Sequence, residues 1–239
     1  MKKMFFKTFS RLKNIIKFRD AASFSYSQSG EDIIIKRTLS RMNCPIPVYL
    51  DIGANDPVKL NNTYLLYKSG GKGVVVEPNP HYIRQYKKKR PSDHLITAGI
   101  SSHGGSNLTF YLLSNQALST FDRDLVQKLV ESAGINIVEE MEIPIIGINE
   151  LLENNFTEAS PNFVSLDIEG WDADVLGSFD FNSFRPELFC VETISNRLGG
   201  VRQEKDTSIF RVMEENGYIP FADTYINTIF VDEEKWVKR

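Results

Sequence analysis

Apolar residues along this chain fall into short runs of strand length, set apart by polar stretches marked with glycine and proline. Val48–Ile52, residues 73–77, 94–100 and 163–168, and Leu188–Glu192 are nearly continuous in apolar side chains. Strands buried on both faces of a sheet read this way. Between them lie stretches with helical signals. Glu31–Arg41 follows Ser29, with Asp32 three positions on, and this predicts a capped helix. Residues 63–68 are closed by Gly70 and Gly71. Pro80 opens a helix that ends before Pro91. Further helices are predicted over 122–133, stopped by Gly134, and over 149–153, 171–176 and 207–216, the last stopped by Gly217. Residues 108–113 and 143–148 are weaker strand candidates. Two last runs, 218–222 and 228–231, flank a polar turn and predict an antiparallel pair.

Strands alternating with helices imply a mainly parallel sheet covered on both faces, here with an antiparallel hairpin at its C-terminal edge. A chain of 239 residues suffices for one such domain. We divide it into a basic segment over residues 1–24 and a domain over 25–239. The segment interleaves Lys2, Lys3, Lys7, Arg11, Lys13, Lys17 and Arg19 with a stripe of Phe5, Phe9, Leu12 and Ile16. A basic helix with an apolar face suits an anionic membrane surface, or the domain's own surface. Lys87–Arg90 reads as a solvated helix end.

Composition excludes several classes. A net charge of −3 leaves no general footprint for nucleic acid. Cys44 and Cys190 have no metal spacing and make no disulfide framework. No run reaches the ~18 apolar residues of a membrane span, and Lys7, Arg11 and Lys13 break up any export signal. A cytoplasmic protein, with its basic segment at the inner face of a membrane, is the expectation.

The chemistry lies at the strand ends. In open α/β sheets the ligand binds beyond the carboxyl ends of the strands. The first strand ends at Asp51 and turns at Gly53, and the second ends at Glu77, 26 positions later. An acid in that place accepts hydrogen bonds from both ribose hydroxyls. The loop lacks the second and third glycines of a dinucleotide site, and Asp51 and Asp56 would sit where phosphates must lie. An acidic, amide-bearing loop of Gly53, Asn55 and Asp56 suits a ligand with an ammonium and a sulfonium, which is S-adenosylmethionine. Asp167, Glu169 and Glu192 end the later strands and are the candidates to remove an acceptor proton. Asp167 and Glu192 are also the candidate ligands for Mg²⁺ or Mn²⁺. Asp172 has the simpler task of charging a helix start. The histidines His81, His94 and His103 do not pair at ligand spacing.

Four blocks carry a resemblance: Ser27-Gln-Ser-Gly-Glu-Asp32, Leu50-Asp-Ile-Gly-Ala-Asn-Asp56, Val76-Glu-Pro-Asn-Pro80 and Ser165-Leu-Asp-Ile-Glu-Gly-Trp-Asp172. Together they resemble the FkbM-type family of S-adenosylmethionine-dependent methyltransferases, over about residues 25–232. The resemblance implies a class I methyltransferase fold, a Rossmann-like three-layer sandwich. It implies methylation of a hydroxyl, on a sugar of a surface glycan or its precursor. It places Asp51, Gly53 and Asn55 at the methionine end of the cofactor, and Glu77, with Pro78 and Asn79, at the ribose. Gln28 and Glu31 would belong to an element closing over the pocket, and Asp167, Glu169 and Glu192 would line the acceptor side. Residues 97–99 offer no acid for the adenine amino group. The alternatives are a small hydroxylated metabolite as acceptor, or a non-catalytic domain that binds a nucleoside or glycan.

Overall fold

The computed structural model describes residues 24–168, 170–195 and 204–238. The basic segment before residue 24 and Glu169 lie outside the described residues. The expected α/β sandwich is present. Its main sheet comprises β1 (Val48–Ile52), β2 (Lys72–Val76), β3 (His94–Ile96), β8 (Phe163–Leu166), β9 (Leu188–Glu192), β12 (Tyr218–Asp223) and β13 (Asn227–Asp232). Their order across the sheet is β12-β13-β9-β8-β1-β2-β3. The five strands from β3 to β9 run parallel. β13 lies antiparallel between β9 and β12, so the C-terminal hairpin closes the edge. Between β9 and the hairpin in the chain, β10 (Ile194–Ser195) and β11 (Glu204–Lys205) form a separate short antiparallel pair. The order reverses beside β1, and a topological switch point of this kind opens a crevice beyond the strand ends.

Alternation along each strand divides the core in two. Leu50, Ile52, Val74, Val76, Val164, Leu166 and Phe189 face one layer. That layer is built from α5 (Ile148–Asn155), α6 (Asp172–Ser178) and α7 (Thr207–Glu215). Tyr49, Val75, Phe163, Leu188 and Cys190 face the other. There the cover is α1 (Glu31–Arg41), α2 (Tyr64–Lys68), α3 (Pro80–Lys89) and α8 (Glu233–Val237). Asp51 shares the face of Tyr49, and this brings it beneath α3. Among the described residues, no helix is long and apolar enough to cross a membrane.

Several expectations need correction. The run at 94–100 is two strands, not one. After β3 the chain leaves the main sheet, and β4 (Gly99–Ser101) pairs instead with β7 (Ile145–Gly147). Gly99 has no Cβ, and one built there would meet Ile145 Cδ1 at 2.6 Å and the Phe121 ring at 2.8 Å. Those side chains pack onto the bare backbone and draw it out of line. β5 (Leu108–Leu113) has as its partner β6 (Ile137–Ile143), an acidic and largely exposed strand whose sequence does not alternate. Between the two lies α4 (Arg123–Ala133), which Asp122 caps by accepting from the N–H groups of Asp124 and Leu125. Ser29 does not cap α1. Ser27 Oγ takes that place, accepting from the N–H groups of Gly30 and Asp32 at 3.2 Å each. The last of the four cations at 87–90 is not solvated: Arg90 is 1% exposed.

Candidate active site

Beyond the ends of β1, β2 and β8 lies a cavity of about 440 Å³. Its floor is the loop after β1. The N–H groups of Gly53 and Ala54 donate to the Val76 carbonyl at 3.1 and 3.2 Å, turning the chain across the tip of β2. Gly53 adopts φ 74°, and a Cβ there would stand 1.9 Å from the Asp167 carbonyl oxygen. Glycine is therefore required twice, by its backbone conformation and by the approach of the β8 loop. Asn55 also has positive φ, 52°, a conformation asparagine tolerates better than most residues.

Glu77 is the best-defined polar group in the cavity. Its Oε2 accepts from the Asn55 N–H and its Oε1 from the Asn79 N–H, both at 2.7 Å. The side chain is 5% exposed. Burial pushes its carboxyl up to about 7 against the pull of those two bonds, and the Asp51 charge adds to the rise. Asp51 is buried as well and accepts from Thr63 Oγ1. Burial raises its pKa, while Arg90 and Thr63 hold it down. Asp56 lines the cavity, but its Oδ1 is engaged by the N–H groups of Val58 and Lys59. Pro78 and Asn79 line it too. Asn79 accepts from the His81 N–H to start α3, and its amide reaches Gln116 at 3.3 Å.

The opposite wall is Asp167, Ile168 and Trp171. Asp172 shapes this loop from behind, accepting from the N–H groups of Ile168 and Gly170. Burial, and then the like charge of Asp167, push the Asp172 carboxyl up to about 7. Its role is thus to brace the loop, not only to charge the start of α6. The stretch from Gln116 to Phe121 also lines the cavity. The Phe121 and Trp171 rings stack at 6.2 Å with 21° between their planes.

Of the expected site residues, Gln28, Asp51, Gly53, Asn55, Asp56, Glu77, Pro78, Asn79 and Asp167 are brought together around the cavity. Glu31 and Glu192 are not among its lining residues. Glu31 is fully buried and reaches Thr224 Oγ1 at 2.6 Å and Asn227 Nδ2 at 3.3 Å, bracing the start of α1 against the C-terminal hairpin. Glu192, 5% exposed, stands opposite Asn227 in the ladder. Among the described residues, no group of three or more His, Cys, Asp or Glu gathers as a metal site would require. Sequence reasoning missed Asn62, Phe121 and Trp171 as cavity residues. The polar triplet Asn61-Asn62-Thr63 before α2 was the available signal. Its first member, a sequon in isolation, is buried and bonded to the Ala54 and Asp56 carbonyls.

Four carboxyl groups around one cavity, Asp51, Asp56, Glu77 and Asp167, disfavour a pyrophosphate and favour a cation. Residues 51–220 match the family model described as the methyltransferase FkbM domain. The chain belongs to the FkbM methyltransferase family. It is an S-adenosylmethionine-dependent methyltransferase, and its sheet, with a reversed hairpin at one edge, is the class I architecture expected of one. The donor set suits that cofactor: Asp51, Asp56 and Glu77 line the cavity beside the Gly53 turn, and Glu77 is anchored at both oxygens. No curated protein sequence matches this FkbM chain. Among solved structures, it is similar to a TehB-like SAM-dependent methyltransferase from Corynebacterium glutamicum (12% identity, TM-score 0.42, covering 93% of this chain and 96% of that one). It is also similar to a putative caffeoyl-CoA O-methyltransferase from Staphylococcus aureus (10% identity, TM-score 0.46, 93% and 91%). A third is a Burkholderia thailandensis 1,6-didemethyltoxoflavin-N1-methyltransferase with bound S-adenosylhomocysteine (9% identity, TM-score 0.41, 84% and 74%).

Proposed function

We propose that this chain is an O-methyltransferase acting on a hydroxyl of a sugar, in a surface glycan or its precursor. The observation that supports this is the make-up of the β8 wall. Asp167 and Trp171 of that wall share the cavity lining with the amide side chains of Asn62 and Gln28. Carboxylates and amides exchange hydrogen bonds with ring hydroxyls, and an aromatic face covers the apolar face of a sugar.

Asp51, Gly53 and Asn55 receive the methionine end of the cofactor in this scheme, and Glu77 the ribose, with Pro78 and Asn79 beside it. When bound, S-adenosylmethionine supplies an electrophilic methyl group on a sulfonium. Asn62 and Gln28 orient the acceptor so that its oxygen lies in line with that methyl, and alignment of this kind accounts for much of the rate. Asp167 takes the hydroxyl proton as the new oxygen–carbon bond forms and the sulfur–carbon bond breaks. The basic segment of residues 1–20 suits work on lipid-linked precursors at the inner face of a membrane. Unchanged sedimentation with anionic liposomes after its deletion would remove that part.

The test of the acceptor is direct. Purified protein is incubated with methyl-labelled S-adenosylmethionine and glycans from cells that lack the protein. The expected result is label in one sugar residue and a mass gain of one methyl group there. Label found only in the small-molecule fraction would overturn the sugar assignment.

A further inference from the structure

The buried cation at the end of α3 is not used by the scheme above. Arg90 has every arm of its guanidinium engaged. Nε meets Asp93 Oδ2 at 2.6 Å. Nη1 donates to Asn61 Oδ1 at 3.1 Å. Nη2 donates to Tyr49 Oη at 3.1 Å and Thr63 Oγ1 at 2.9 Å. The rings of Tyr49, Tyr67 and Tyr86 surround it, with centroids 5.1–5.6 Å from Cζ. A cation so deep is costly unless its partners are fixed, and each of them is.

Two of those partners lead to the cavity. Thr63 Oγ1 accepts from Arg90 and donates its own proton to Asp51 Oδ2. Asn61 turns its oxygen to Arg90 and its amide to the carbonyls of Ala54 and Asp56. Arg90 can only donate and an ionised Asp51 can only accept, so the Thr63 hydroxyl between them accepts from the first and donates to the second, with Asn61 Oδ1 a longer alternative acceptor at 3.0 Å. One guanidinium thus governs both a carboxylate and a loop on the cavity floor. Lysine has the charge but not the planar fork that reaches Asp93, Asn61, Tyr49 and Thr63 at once.

We propose that Arg90 is a positioning residue for the cofactor: through Thr63 it orients the Asp51 carboxylate, and through Asn61 the Ala54–Asp56 backbone, for the amino-acid end of S-adenosylmethionine. This rests on the cofactor placement proposed above. The titratable and charged groups that act on Asp51 are Arg90 and Tyr86 of the α3 region, Asp93 in the following turn, Glu77 after β2 and Cys190 of β9. Asp51 has two hydroxyl partners, Thr63 and Ser165; Thr63 is the one that also accepts from Arg90, and its removal leaves every charge in place.

The experiment is calorimetric titration of the full chain with S-adenosylmethionine and with S-adenosylhomocysteine from pH 5 to 9. Thr63→Val removes the hydroxyl at near-constant volume, and Thr63→Ser keeps it. Thr63→Val is expected to weaken both ligands about tenfold or more. It should also move the acidic limb of binding up by about one pH unit, since Asp51 loses a bond that favours its charged form. Thr63→Ser should recover most of the affinity and the original limb. A folded Thr63→Val protein with wild-type affinity and an unmoved limb would overturn the proposal. So would Val and Ser variants that lose affinity equally with the limb unmoved, which is a structural effect alone. Should Thr63→Val not fold, Arg90→Lys carries the test at pH 8, where weaker binding is expected and wild-type affinity would refute it. A wild-type chain that binds neither ligand removes the cofactor placement itself, and Arg90's role with it.

Discussion

The two rims of the cavity solve the same problem in different ways. Each holds a buried carboxyl, Glu77 on the cofactor rim and Asp172 on the β8 rim, and each of these accepts two backbone N–H bonds from the loop it braces. Both carboxyls are pushed up to about 7 by burial. The surroundings differ. On the cofactor rim a buried guanidinium lies beneath Asp51, and hydrogen bonds run from it to the loop. On the β8 rim the charge acting on Asp172 is Asp167, of like sign. The first arrangement sets Arg90 and Thr63 against the burial that raises the Asp51 pKa. The second sets a like charge beside Asp172, which adds to burial in favouring its protonated form. Opposite-charge support and like-charge crowding thus fall on opposite sides of one crevice.

The sharpest way to break this division is Asp167→Asn. Turnover should fall about 10²–10⁴-fold, while calorimetry finds S-adenosylmethionine bound as before. Full turnover would end the assignment of proton uptake to the β8 rim. Gly53→Ala acts where the rims touch. Its methyl would collide with the Asp167 carbonyl at a positive φ, so a stability loss of about 3 kcal/mol or more is expected. A denaturant melt like that of the wild type would mean that the rims are not in contact. Glu77→Gln probes the cofactor rim through pH. The folded pKa of Glu77 is raised, so its contribution to stability is fully present below about 4.5 and lost as pH rises through about 7. The ligand-free wild type should therefore gain about 2–3 kcal/mol more than the variant between pH 8 and pH 5. Parallel stability curves would show that Glu77 is not buried as a charge. Trp171→Ala should do least, raising the acceptor KM about tenfold with the cofactor Kd unchanged. A change in Kd instead would move Trp171 to the cofactor rim.

Legibility in the sequence followed how local the cause was. The bounds of Val48–Ile52, Leu188–Glu192 and Glu31–Arg41 are those expected, because burial on two faces and a helical run are visible within a few residues. The same holds for Asp51, Gly53 and Glu77, which reach the cavity because they end strands. Failures came where a distant element intervened. The run at 94–100 breaks because Phe121 and Ile145 pack onto Gly99. β6 is a strand because β5 pairs with it, not because its acidic, exposed sequence alternates. Arg90 differs from its three lysine neighbours by fitting among three tyrosines drawn from β1, α2 and α3.

By itself, then, the order of residues determined which segments become buried strands, where the chain must turn on glycine, and that acids crowd the strand tips. Tertiary structure alone decided what each acid does. Glu77 and Asp167 reach the cavity, whereas Glu31 ties α1 to a hairpin nearly two hundred positions away and Asp172 braces a loop. The physical reason is that the cost of burying a charge is set by the partners that surround it, and those partners come from segments that meet only once the sheet has formed.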